Sequence, residues 1–275
     1  MLFRAFTYHY QAANRWRLVR NLGTLGLALV APVVSIYSPG AGGLLGAVAG
    51  GWILVARTIL ARLEAKNRRR ASLIQEEFDV GLFGLPWNEG LVGKRVAPED
   101  IADAAEHVAE GALDWYPDAD RLPWPSNVLV CQRGNAVWGR RNHDSYSQLL
   151  LAAGGAWFVV GVVIAAGREL SLATYLATLF LPSQPAFLDA IEFAQGHGRQ
   201  SSAKAEIESA ADDVLNSSGA GAGITVSDCR LIQDQTFRLR SRGPSVPNWF
   251  YRLRRDRDQR ALDAGVETIG RQLGP

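Results

Sequence analysis

Arginine alternates with aromatic and amide side chains near the C-terminus: Arg238, Arg240 and Arg242 precede Asn248, Trp249 and Tyr251, which are followed by Arg252, Arg254 and Arg255. Arginine presents a planar fork of donors that grips phosphate oxygens in pairs, and aromatic rings stack on flat bases or on guanidinium groups. A di- or trinucleotide, with several negative charges and flat bases, suits that mixture. Anionic lipid headgroups suit the same arginines, at roughly 1 kcal/mol per charge near a bilayer. A smaller group, Arg133, Asn135 and Trp138 followed by Arg140 and Arg141, again offers phosphate donors beside an aromatic surface. Arginine and tryptophan are also what the edge of a membrane span requires.

Nothing in the chain reads as a reaction centre. The histidines His9, His107, His143 and His197 are scattered, without an i, i+4 pair or an HExxH motif, and Cys131 and Cys229 are too far apart to form a metal box. There is no GxSxG motif, no phosphate-loop lysine motif and no carboxylate inside an apolar run. No catalytic residue, metal or cofactor is therefore assigned, and the expected activity is not enzymatic.

The elements that must hold these residues are dominated by lipid. Asn21 to Ala56 and Ser145 to Gly167 contain no charged residue, and Leu170 to Leu188 follows after only Arg168 and Glu169. A helix needs about 20 apolar residues to cross a hydrocarbon layer about 30 Å thick. The first run is long enough for two spans, divided at Ser38, Pro39 and Gly40, where proline lacks a donor and glycine tolerates positive φ. The expected fold is all-α: four transmembrane helices in two hairpins, with a mainly helical cytosolic domain. Hairpin one covers 19–60, with spans near 19–37 and 41–60; hairpin two covers 149–187, with spans near 149–166 and 170–187. Pro182 and Pro185 predict a kink or break between Leu181 and Pro185. The first span is not read as a signal peptide, because about 18 residues precede it and the second span follows at once.

Orientation follows from the arginines and lysines at the span ends. Arg15, Arg17 and Arg20 precede span one, Arg57, Arg62 and Lys66 follow span two, Arg140 and Arg141 precede span three, and Arg199 and Lys204 follow span four. The intervening turns carry only Arg168, so both termini are expected in the cytoplasm. The cytosolic parts are then 1–18, 61–148 and 188–275, and both cysteines lie within them as free thiols. In those parts, helices are expected over Arg57 to Asp79, Pro98 to Trp115, Ala186 to Leu215 and Val246 to Leu273. Short extended segments are expected within Ile224 to Arg240, a packed loop, with a re-entrant or interfacial element as the alternative, at Phe78 to Asn88, and a linker at Ser217 to Gly223.

Span two carries Gly42, Gly46 and Gly50 at four-residue spacing, which lets helix backbones approach closely, either within one chain or between copies. Polar residues in the spans are few, Thr24, Ser35, Thr174, Thr178 and Gln184 among them, so any conduit through them lacks strong charge selectivity.

Several segments, in order, resemble one family: EEFDVGLFGLPWNEG at Glu76 to Gly90, DWYPD at Asp114 to Asp118, CQRGNAVW at Cys131 to Trp138, LPSQP at Leu181 to Pro185, and QDQTFRLRSRGPSVPNWFYRLRR at Gln233 to Arg255. They are similar to the SMODS-associated four-transmembrane effectors. That resemblance implies a pore-forming effector of a bacterial anti-phage defence operon of the CBASS kind, in which a nucleotidyltransferase makes a cyclic oligonucleotide and the effector damages the inner membrane. The partners it implies are the lipid bilayer, further copies of the chain and a cyclic oligonucleotide, with no DNA or RNA polymer. The alternative is a membrane-anchored scaffold whose cytosolic domain recruits a partner.

Overall fold

The computed structural model describes residues 1–109, 116, 119, 121–217 and 223–273, and every regular element among them is helical. Asp114, Trp115 and most of the expected linker after Ser217 lie outside these residues. The order is α1 (Leu2–Tyr37), α2 (Gly42–Val55), α3 (Ala61–Phe83), α4 (Glu89–Val92), α5 (Pro98–Glu106), α6 (Ser126–Gly167), α7 (Leu172–Tyr175), α8 (Leu181–Ser217), α9 (Val226–Arg242) and α10 (Asn248–Leu273). Two compact units result. Unit 1 comprises Met1–Gln11, Asn67–Tyr146 and His197–Pro275, and unit 2 comprises Ala12–Lys66 and Ser147–Gly196.

Unit 2 contains both apolar hairpins. Leu2–Val34, Gly43–Phe83 and Ser126–Gly167 are each long and apolar enough to cross a membrane. Their apolar side chains face outward, as Leu25, Leu29, Leu44, Leu54, Val159 and Val163 illustrate. Lipid supplies no driving force for burying such residues, so this inverted surface is what a bilayer selects. The turns within the hairpins are short. Ser38 and a 3-10 turn at Pro39–Ala41 join α1 to α2. Glu169, with φ of 51°, ends α6, and Ser171 caps α7 by accepting from the Thr174 N–H.

The fourth apolar run is divided between α7, a π turn at Leu176–Phe180 and the start of α8. The interruption expected at Leu181 to Pro185 thus takes the form of a widened turn just upstream, with the Leu181 N–H bonded to the Leu176 carbonyl. Proline at 182 cannot donate to residue 178 and its ring crowds that carbonyl, which favours the longer i to i−5 closure. A second π turn, Ala56–Leu60, joins α2 to α3.

Close packing inside unit 2 centres on Gly23 and Trp52. A Cβ at Gly23 would lie 1.9 Å from the indole Cζ2, and the indole Nε1 donates to Thr24 Oγ1 at 3.2 Å. Charge is neutralised at the ends of the apolar runs: Arg20 pairs with Glu64 at 3.0 Å, and Arg57 reaches both Asp189 and Glu192.

Unit 1 has two apolar clusters. One gathers Phe6 of α1, Ile74 of α3, Ile101 of α5 and Val96 from the segment before α5. The larger joins Val80 and Phe83 of α3 to Leu129 and Cys131 of α6, Ile207 and Ala211 of α8, and Cys229 and Ile232 of α9. Both thiols are free and buried there, and burial with the neighbouring Asp228 charge pushes Cys229 up to about 12.

Three expectations for this part are corrected. Ile224 to Arg240 is not extended: α9 occupies it from Val226, started by a reciprocal capping box between Thr225 and Asp228. The helix beginning at Pro98 ends at Glu106, not Trp115. The segment from Phe78 stays helical to Phe83 before Gly84, at φ 66°, turns the chain.

Candidate functional site

Helix α3 carries Glu76 and Asp79 three residues apart, hence on one face, and both are fully buried. Two carboxylates removed from water require compensating donors. Helix α9 supplies them at positions 230, 233 and 240, again along one face. Arg230 Nη2 donates to Glu76 Oε1 at 2.6 Å, and Gln233 Nε2 donates to Glu76 Oε2 at 2.8 Å. Arg230 also donates to the Pro86 carbonyl and pairs with Asp234. From α6, Gln132 donates to Gln233 Oε1 and to the Cys229 carbonyl. Burial raises the Glu76 carboxyl above the usual range, against the lowering effects of Arg240, Arg230 and Gln233.

Arg240 completes the cluster differently. Its Nη1 lies 2.7 Å from Asp79 Oδ2, whose other oxygen accepts from the Tyr116 hydroxyl at 2.8 Å. Yet among the described residues neither Nη1 nor Nη2, both buried, has an acceptor in hydrogen-bonding alignment. The contact with Asp79 is a close charge pair without an aligned N–H. Burial pulls the guanidinium down, but the charges of Asp79, Tyr10, Tyr116 and Glu76 raise it overall, so it remains a cation. Tyr10 and Tyr116 are themselves raised, chiefly by burial.

Lys204 approaches from α8. A Cβ on Gly139 of α6 would fall 2.5 Å from Lys204 Cε, so the lysine stem lies across that glycine. A Cβ on Gly243, just past α9, would fall 2.1 Å from Gln200 Nε2. One turn onward in α8 and one turn back in α9 lead to Lys204 and Arg240. Burial and the Arg240 charge bring Lys204 down to about 8.

The residues singled out from the sequence are distributed over three places. Only Arg240 joins the buried cluster. Arg133 is committed to Asp212 and Glu208, and Arg140 to Glu208, along the α6–α8 contact. Trp138 and Tyr251 come together, ring centroids 5.4 Å apart, and Trp249 lies edge-on to Tyr146 and Phe250. Arg238 is exposed and Asn135 half-buried. The scattered histidines include one juxtaposition that spacing did not reveal, His143 Nδ1 to His197 Nδ1 at 2.8 Å. Sequence reading missed Lys204, Glu76, Asp79 and Arg230 as members of the site; the signal was the pair Glu76 and Asp79 at i, i+3, which share a face of the helix with apolar Leu73, Val80 and Phe83.

Of the glycine ridge, Gly46 and Gly50 have open space where a Cβ would stand, and the surroundings of Gly42 lie outside the described residues. Gly46 borders a cavity of about 250 Å³ in unit 2, lined also by Thr24, Trp52, Leu181, Pro182 and Pro185. Among the described residues, no group of three or more His, Cys, Asp or Glu side chains could hold a metal ion.

Comparison with known proteins agrees with this helical, membrane-spanning architecture. The model of the SMODS-associating 4TM effector domain matches residues 1–269. A curated protein of Bacillus cereus (strain VD146), described as a "Probable CBASS effector molecule", is 26% identical over 280 residues, covering 95% of this chain and 91% of that one. No solved structure matches. With nearly its whole length matched, the chain belongs to the SMODS-associating 4TM effector family.

Proposed function

We propose that this protein is a pore-forming effector of a bacterial nucleotide-signalled anti-phage system, opened by a cyclic oligonucleotide and acting without enzymatic chemistry. It sits in the inner membrane with both termini in the cytoplasm. Four spans of one chain cannot enclose a wide aqueous channel, so the conductive form is an oligomer, and the open space at Gly43 and Gly50, outside the cavity that Gly46 borders, marks the surface on which copies would meet. The observation that carries the gating half of this reading is Arg240, a buried cation whose Nη2 has no acceptor among the described residues. A buried donor left unmet costs about 1–3 kcal/mol, more for a charged group, and an arriving anion relieves it. The name of the Bacillus cereus relative supports the defence setting.

The experiment is dye release from liposomes containing the purified protein, with and without cyclic di- and trinucleotides. Release that requires a cyclic oligonucleotide is expected. Intact liposomes under every condition would leave the scaffold reading in its place.

A further inference from the structure

We propose that Lys204 of α8 and Arg240 of α9 act together as a site for a phosphate-ester oxygen within unit 1. The proposal rests on the gating reading for its choice of nucleotide, but its chemistry stands on the side chains themselves. Among the described residues, Lys204 makes no hydrogen bond or ion pair. Burial and a second cation both penalise its charge. Arg240 is held at one end by Asp79, while Nη2 keeps an unused donor. Two neighbouring cations, the buried Arg240 guanidinium and the half-buried Lys204, each with donor capacity to spare, form a site that an anion stabilises.

The backbone prepares this arrangement. Gln200 meets Gly243, and one helical turn from that meeting α8 carries Lys204 and α9 carries Arg240, close enough for the Arg240 charge to act on the lysine. Gly139 leaves room for the lysine stem, and a side chain there would have to displace the flexible end of Lys204. The tyrosine hydroxyls whose charge states influence Arg240, Tyr10 and Tyr116, border the same region and are kept protonated by burial. A phosphodiester of a nucleotide and the phosphate of a lipid headgroup share the chemistry required.

The test uses the full-length protein in detergent, with calorimetry against pyrophosphate, cyclic di- and trinucleotides, and short-chain phosphatidylglycerol. The variants are Lys204→Gln and Arg240→Lys, with the exposed Lys94→Gln as control. Binding is expected to weaken about tenfold to a hundredfold in Lys204→Gln and to be unchanged in Lys94→Gln. Wild-type binding near pH 8 should also take up a proton, because the arriving anion raises Lys204, and Lys204→Gln should abolish that uptake. If Arg240→Lys fails to fold, Lys204→Gln decides the matter. Pyrophosphate or phosphatidylglycerol binding that depends on Lys204, without any cyclic oligonucleotide binding, upholds the phosphate site and removes the gating reading. Cyclic oligonucleotide binding that is indifferent to Lys204→Gln and Arg240→Lys overturns the site and leaves that reading standing. If no phosphate-bearing probe binds, the site is overturned outright.

Discussion

Asp79 and Arg240 face each other at 2.7 Å inside unit 1, the carboxylate side chain fully buried and the guanidinium nearly so. Replacing one partner strands the other in a region of low dielectric. Arg240→Met is therefore expected to destabilise the protein by about 3–5 kcal/mol. The double variant Asp79→Asn with Arg240→Met should recover a substantial part. Denaturant titration in detergent measures both, and additive losses would mean that the pair is not coupled.

Gly23 predicts an effect at a position that a hydropathy profile treats as interchangeable. With Trp52 at 1.9 Å from any Cβ, Gly23→Ala must push the indole or the helices apart. We expect a loss of about 1–3 kcal/mol, the usual range for overpacking. A change in Trp52 fluorescence should accompany it. Gly26→Ala, where a Cβ meets open space, serves as the control and should be neutral or slightly stabilising. Equal behaviour of the two variants would contradict the Gly23–Trp52 contact.

Lys204 gives a pH dependence with a defined sign. The folded protein holds it near 8 against an ordinary value of 10.5, so between those values the unfolded chain binds more protons. Stability contributed by this group therefore rises with pH above about 8. Tyr10 and Tyr116, raised above 10.0, oppose the trend only once unfolded tyrosine begins to ionise. Unfolding followed between pH 8 and the onset of tyrosine ionisation should show the rise in wild type and a flatter line in Lys204→Gln. Identical slopes would place the lysine in contact with water.

Orientation is testable by cysteine accessibility, because Cys131 and Cys229 are buried and contribute little background. A cysteine at Ser38 or Glu169 should react with an impermeant reagent applied to intact cells. One at the exposed Arg69 or Arg238 should react only after the membrane is opened. The reverse pattern would invert the topology inferred from the arginine distribution.

The amino-acid sequence by itself determined that this is a helical membrane protein, because a run without charge long enough to cross lipid has few other fates. Turn positions were equally legible: Ser38 to Gly40 and Gly167 to Ser171 carry local steric preferences that operate without tertiary context. The capping box at Thr225 and Asp228 was present in the sequence too, and reading it would have placed α9 where extended segments were expected. What only the tertiary structure decided is which charged residues share a neighbourhood. Arg133 and Arg240 look alike in sequence, yet one is consumed by Asp212 and Glu208 while the other is buried with a donor to spare. Lys204 read as a topological charge near a span end, and it becomes a site residue only because α8 lies against Gly139 and Gly243. Helix periodicity tells which face a side chain occupies; the partner of that face is set by packing between segments distant in sequence, and no local pattern records it.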